Sequence, residues 1–195
     1  MMIIMKYIFL LVVIFLFQQN VRSEDILEEF LIANPDMLDP RFKETVIILF
    51  LHNQTGAVGW VVNKPIKTIS IDKLFDDMEL TLPTKFFKKN ITLYWGGPVE
   101  PEQIFFIHSS EYKSKDFMSS NRSFTVSTAP EVLIDIAKNK GPDEYLIVTG
   151  ISVWEPDQLN FEIMQGAWQK KSSSYSLIFN NDNEMWQRLL YLQDI

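Results

Sequence analysis

Few residues in this chain are equipped for acid–base or metal chemistry. There are two histidines, His52 and His108, and no cysteine. No thiolate nucleophile, disulfide or Cys-ligated metal can therefore form. Each histidine ends an apolar run of strand length, Val46–His52 and Gln103–His108. An imidazole at a strand end can serve as a general base or a metal ligand, with Asp39 or Glu162 as its orienting carboxylate. Its plainer role is to bond a loop carbonyl and fix a turn. No His-x-x-x-His or His-Glu pairing supplies ligands at short range, so neither a metal site nor a catalytic set is expected. Ser109, Ser110 and Ser152 lack the Gly-x-Ser-x-Gly setting of a nucleophile elbow.

Two glycine pairs and one aromatic–polar cluster remain. Gly56-x-x-Gly59 and Gly96-Gly97-Pro98 fit neither the P-loop nor the dinucleotide template, and a strand rather than a helix is expected after Pro98. Both pairs read as backbone turns, and no cofactor is expected. Gln158 and Glu162 stand four apart on one helical face, with Trp154 before that helix and Trp168 after it. Such a group either lines a polar pocket or pins a helix to a sheet through side-chain hydrogen bonds. The best candidate site lies where His52-Asn53, Gly96-Gly97 and the Trp154, Gln158, Glu162 segment meet, because three strand-end loops at one sheet edge form a cleft.

The elements that must position these residues follow from pattern and punctuation. Strands are expected at Phe30–Ala33, Val46–His52, Ala57–Asn63, Thr92–Trp95, Gln103–His108, Ser123–Ser127, Glu144–Thr149 and Tyr175–Phe179. The unbroken apolar run from Val46 predicts a strand buried on both faces. Helices are expected over Ile69–Met78 with Ser70 as N-cap, from a Thr128-x-x-Glu131 capping box to about Asn139, and from Pro156 to about Gln165. A final helix is expected after an Asn181-x-x-Glu184 cap. Strands precede any substantial helix and helices then interleave, which predicts a mixed sheet and an α+β fold.

The chain has 195 residues, 47% of them hydrophobic, enough for one domain with a substantial core. Its net charge is −7 and its basic residues are scattered, which disfavours binding to a phosphate backbone. Residues 1–23 have the layout of a signal peptide: Lys6, an apolar run from Tyr7 to Phe17, then a polar stretch ending at Ser23. The run is short for a spanning helix, though a retained membrane anchor is the alternative. Residues 24–195 would then form the mature domain, exported or tethered, touching a membrane only through that segment.

Several segments taken together resemble the YqgE/AlgH family of bacterial proteins. They are Phe30–Ala33 with Pro35, Leu38, Asp39-Pro40 and Phe42; His52-Asn53-x-x-Gly56-Ala57-x-Gly59 with Asn63-x-Pro65; Gly96-Gly97-Pro98-Val99; the strand ending at His108; and Gly150-x-x-x-Trp154-x-x-x-Gln158-Leu159-x-x-Glu162 with Trp168. The resemblance implies a single α+β domain whose bifurcated mixed sheet curls into a pseudo-barrel with flanking helices. It implies no reaction and carries over no catalytic residue; the family is associated with transcriptional regulation. This chain departs from the pattern in having Asp157 where a Gly is usual, Asn160 where a Glu is usual, and the bulky Trp60 at an aliphatic strand position.

The expectation from these readings is a non-enzymatic binding or regulatory domain with a ligand or protein partner. The first rival is a hydrolase-like or nucleotide-handling enzyme using His52, His108 and Glu162. The second is a cytoplasmic transcriptional regulator, disfavoured by the acidic charge and the leader.

Overall fold

The computed structural model describes residues 26–113, 117–120, 124–172, 175–180 and 184–191. The segment 1–23 expected to be a leader and the Asn181 cap expected for the last helix lie outside these. Among the described residues no helix is long and apolar enough to cross a membrane.

Ten strands and five helices are described: β1 (Ile26–Ala33), β2 (Val46–Asn53), β3 (Gly56–Val61), β4 (Pro65–Ser70), α1 (Ile71–Asp77), β5 (Asn90–Trp95), β6 (Val99–Ser109), β7 (Phe117–Ser120), β8 (Phe124–Ser127), α2 (Pro130–Ala137), β9 (Tyr145–Trp154), α3 (Gln158–Met164), β10 (Trp168–Ser172), α4 (Tyr175–Phe179) and α5 (Met185–Tyr191). The fold is α+β. The sheet runs β10-β1-β2-β3-β9-β6-β8-β7, with β4 and β5 as a side branch on β9. It is open, since β10 and β7 end the path, so the barrel-like form is not a closed barrel.

The bifurcation is built into β9. On one side this strand pairs with β6 from Tyr145 to Ile151. On the other, Ile147–Thr149 pairs in parallel with Leu93–Trp95 of β5, and Ser152–Trp154 pairs antiparallel with Ala57–Gly59 of β3. The change of partner falls at Gly150, whose φ of 76° lies in the left-handed region that glycine tolerates.

Alternate residues of each central strand enter different cores. Phe30, Ile48, Phe50, Trp60 and Ile107 pack with Ile178 of α4 and Leu189 of α5. On the opposite face, Leu31, Ile47 and Leu49 pack with Leu159 of α3. Farther along, Leu93, Phe106 and Ile147 pack beneath α1 and α2. β2 is buried from Val46 to Leu51, as its apolar run predicts. Trp60 is fully buried and stands edge to Phe50, with its ring centroid 5.3 Å from that of Phe105. The bulky departure at this position is a core filler.

Three expectations are corrected. Tyr175–Phe179 is a helix rather than a strand; a short apolar run has no periodicity to separate the two, and here Ile178 is drawn into the core beside Met185. The Thr128 capping box does not form. The N-cap is Ala129, Pro130 occupies the first turn, and Ser127 Oγ accepts the Ala129 N–H at 3.0 Å. Ser70 is at the N-cap of α1 but makes no side-chain cap bond. In addition, β4, β7 and β10 form without a strand signal having been read there. β4 is largely exposed, and β10 (Trp-Gln-Lys-Lys-Ser) is a polar edge paired with β1, where Lys170 Nζ meets Glu29 Oε2 at 2.7 Å.

Candidate functional site

The chain order β9–α3–β10 places two tryptophans around one carboxylate. Trp154 is the last residue of β9, Glu162 lies near the end of α3, and Trp168 opens β10. Glu162 Oε2 accepts the indole N–H of Trp154 at 2.9 Å and that of Trp168 at 2.8 Å. Glu162 Oε1 accepts Gln158 Nε2 at 2.8 Å, and Gln158 Oε1 accepts the Glu155 N–H at 3.0 Å. The indoles meet nearly perpendicular, with centroids 6.1 Å apart. Asp157 sits in the tight turn before α3 at φ 62°. That explains why the related pattern has glycine there, and Asp157→Gly is expected to raise stability by about 1 kcal/mol in a thermal melt.

This cluster forms one wall of a cavity of ≈ 740 Å³, within the usual size range of small-molecule sites. The facing wall is the turn after β1, which the two prolines keep irregular and which contributes Asp36 to Asp39, Arg41 and Phe42. Arg41 Nε donates to Asp39 Oδ1 at 3.0 Å and Arg41 Nη2 to Asp39 Oδ2 at 2.6 Å. This hydrogen bond holds the Asp39 carboxyl below the ordinary range. Phe42 packs edge-on to Trp168 with centroids 5.7 Å apart. Asp39, a candidate to orient a histidine, is thus paired with Arg41, and neither histidine joins it in the lining. Arg41 is the one functional residue of this wall that the sequence pattern does not single out.

Of the seven candidate ligand-binding residues, Trp154, Gln158 and Glu162 line the cavity, and His52, Asn53, Gly96 and Gly97 do not. His52 shares a cross-strand row with Ala57 and Trp154, two strands away. Asn53 Oδ1 accepts the N–H and the hydroxyl of Thr55, which closes the β2–β3 hairpin. Gly96 and Gly97 pack against the backbone of Gly150 and Ile151, and the next residue, Pro98, reaches the lining.

His108 is elsewhere. It pairs with Tyr145, at the end of β9 opposite Trp154, and nine residues of strand separate the two rows by up to about 30 Å. It is fully buried, its Nδ1–H donates to the Ser109 carbonyl at 2.9 Å, and burial pushes its pKa below the ordinary value. The unfolded chain takes up a proton near pH 6.5, where the folded imidazole remains neutral. Stability should therefore fall as pH drops from about 6.5 towards the lower folded value. Urea titrations at pH 7.5 and pH 5.5 should show this loss, and His108→Gln should flatten it. Among the described residues no cluster of His, Asp and Glu is arranged to hold a metal ion.

Comparison with known proteins agrees with fold and motifs. The AlgH-like family model matches residues 30–195, and the chain belongs to that family. A UPF0301 protein of Desulforapulum autotrophicum is 30% identical over 173 residues, covering 88% of this chain and 90% of the relative. Another, from Ralstonia nicotianae, is 34% identical over 152 residues, covering 78% and 79%. The solution structure of the AlgH protein from Pseudomonas aeruginosa superposes with a TM-score of 0.68 at 28% identity, covering 91% of this chain and 97% of that one. A Corynebacterium diphtheriae protein shares the fold at 18% identity, with a TM-score of 0.66 over 92% of this chain and 93% of that one.

Proposed function

We propose that the domain is a non-enzymatic ligand-binding module of regulatory type, with the cavity between α3 and the Asp36–Phe42 turn as its site. The observation that carries this reading is the state of the ionisable groups in the lining. Glu162 already accepts three N–H bonds and Asp39 is paired with Arg41. Neither is placed as a free general acid or base, and the third acid of the lining, Asp36, is exposed, with no histidine or lysine in the lining to act with it. The hydrolase-like alternative needs at least two of His52, His108 and Glu162 on one open pocket, yet of the three only Glu162 lines the cavity. To test the reading, the protein is incubated with a metabolite extract and its indole N–H signals are followed by NMR. Ligands should shift Trp154 and Trp168 and be recovered chemically unchanged. A compound consumed in large molar excess over the protein would overturn the assignment.

We also propose that the segment up to Ser23 directs export and is removed. Its support is the Lys6, Tyr7–Phe17, Ser23 layout, which precedes the start of the family match at residue 30. Mass spectrometry of the protein from its native host is expected to find a new N-terminus near Glu24. An intact Met1 on soluble protein would refute export, and an intact Met1 in the membrane fraction would indicate a retained anchor.

A further inference from the structure

The cavity's charge and aromatic content specify the class of ligand. Its ionisable lining consists of Asp36, Asp39 and Glu162 against Arg41 alone. Arg41 is paired with Asp39. Glu162 is half-buried and held entirely by neutral donors, two indole N–H groups and one amide. Among the described residues no Lys, Arg or His forms an ion pair with it. A partly desolvated carboxylate without a counter-charge favours a cation. Its hydrogen-bonding capacity points the same way. Oε2 accepts two bonds and Oε1 one, so one acceptor position on Oε1 remains for a further donor.

The groups that could attract an anion are already directed at carboxylates of this chain. The indole N–H donors of Trp154 and Trp168 point to Glu162, and the guanidinium of Arg41 to Asp39. The facing wall holds a cation between an aromatic ring and a carboxylate. The Arg41 guanidinium carbon stands 5.8 Å from the centre of the Phe42 ring while its nitrogens bond Asp39, an aromatic–carboxylate pair filled by a cation. Glu162 is a second carboxylate beside aromatic rings, to which the described chain contributes no cation. Trp154 and Trp168 turn their N–H edges, not their faces, to it, so the carboxylate itself supplies the attraction for a cation. Apolar surface continues outward from it at Met37 and at Leu38, which is 94% exposed.

We infer that this cavity binds an organic cation, a primary ammonium or guanidinium group on an apolar arm, with the charged head on Glu162 Oε1 and the arm towards Met37 and Leu38. The inference rests on the reading of this cavity as the binding site and adds the ligand's chemistry. Hexylamine, hexanol and hexanoate share one apolar arm and differ only in the head group, so they separate charge from hydrophobic filling.

Titration of the full domain with each compound is followed through the indole N–H resonances of Trp154 and Trp168. Hexylamine is expected to shift both, and to bind about tenfold or more tightly than hexanol or hexanoate. Glu162→Gln keeps an acceptor oxygen for the indoles but removes the charge, and should weaken hexylamine by about tenfold or more. If that variant fails to fold, the three-compound comparison on the unaltered protein still decides. Hexanoate or hexanol shifting these resonances as strongly as hexylamine would overturn the cation assignment and leave the cavity as a binding site. Silence from all three would overturn the cation assignment, and compounds in the metabolite extract would then show whether the site itself stands.

Discussion

Gly97→Ala is expected to destabilise the domain by about 3 kcal/mol or more, enough to shift a thermal or urea transition unmistakably. A Cβ at this position would lie 2.2 Å from the Ile151 carbonyl carbon, 2.3 Å from its oxygen and 2.4 Å from the Ser152 nitrogen. All three are backbone atoms of β9, which cannot swing aside as a flexible side chain would. The crowding arises at the fork of the sheet. β5 leaves β9 after the Trp95–Thr149 pair, and β3 joins it at the Gly59–Ser152 pair. The Gly96-Gly97 segment crosses between them. The Gly96 N–H donates to Thr149 O at 2.8 Å, while Gly96 O accepts the Val61 N–H at 3.0 Å and the Ser152 hydroxyl at 3.1 Å. Gly96 would itself place a Cβ 2.4 Å from Gly150 O, and Gly150 one 2.3 Å from Gly97 O. Three glycines thus let two sheet branches separate while the N–H and carbonyl of Gly96 both stay paired across the fork. Gly166→Ala is the control. Its φ is 76° but no atom lies within 4 Å of the added Cβ, so only backbone strain of about 1 kcal/mol should appear. Equal, small losses in both variants would remove the fork argument.

The Gly96-Gly97 turn shows where sequence reading succeeds and where it stops. The glycines and the strand after Pro98 were legible, because turn chemistry and strand pattern are local properties. That the turn packs against Gly150 was not legible, since 53 positions of chain separate Gly97 from Gly150 and nothing local couples them. The cavity divides the same way. Trp154, Gln158 and Glu162 were found because helical spacing and strand–helix order lie within one short segment. Arg41 and Phe42 were not placed opposite them, because the fold alone brings the Asp36–Phe42 turn there. His52 was put at the correct end of the sheet but two strands from the cavity lining. His108 was treated as a possible partner although it lies at the other end of β9. Strand-end position is visible in a sequence, whereas the end of the sheet to which it belongs depends on pairing direction. Tyr175–Phe179 failed for another reason. Five apolar-rich residues contain too little period to distinguish helix from strand, and core packing at Ile178 decided.

Glu162→Ala is expected to cost about 3 kcal/mol, an unusually large loss for a half-exposed glutamate on a short helix. Truncation removes the acceptor from two indoles at once, and Trp154 and Trp168 are 5% and 4% exposed. A buried donor left without a partner carries a desolvation penalty of about 1–3 kcal/mol, and rotation into water is closed to rings packed against Leu31 and Leu159. Gln158 also loses its partner, but it is exposed and water replaces that bond at little cost. Glu162→Gln should cost about 1 kcal/mol, because its amide oxygen still faces the indoles, while the new NH₂ group opposes Gln158 Nε2 and only the exposed Gln158 bond is given up to water. Chemical denaturation measures both losses, and the indole N–H resonances report the cause. In the alanine variant the Trp154 and Trp168 signals should move and lose protection from hydrogen exchange, whereas in the glutamine variant they should stay protected. If Glu162→Ala were as mild as Glu162→Gln, the carboxylate would not be what docks α3 against the end of β9. The cavity wall would then be held by Leu159 and the aromatic contacts alone.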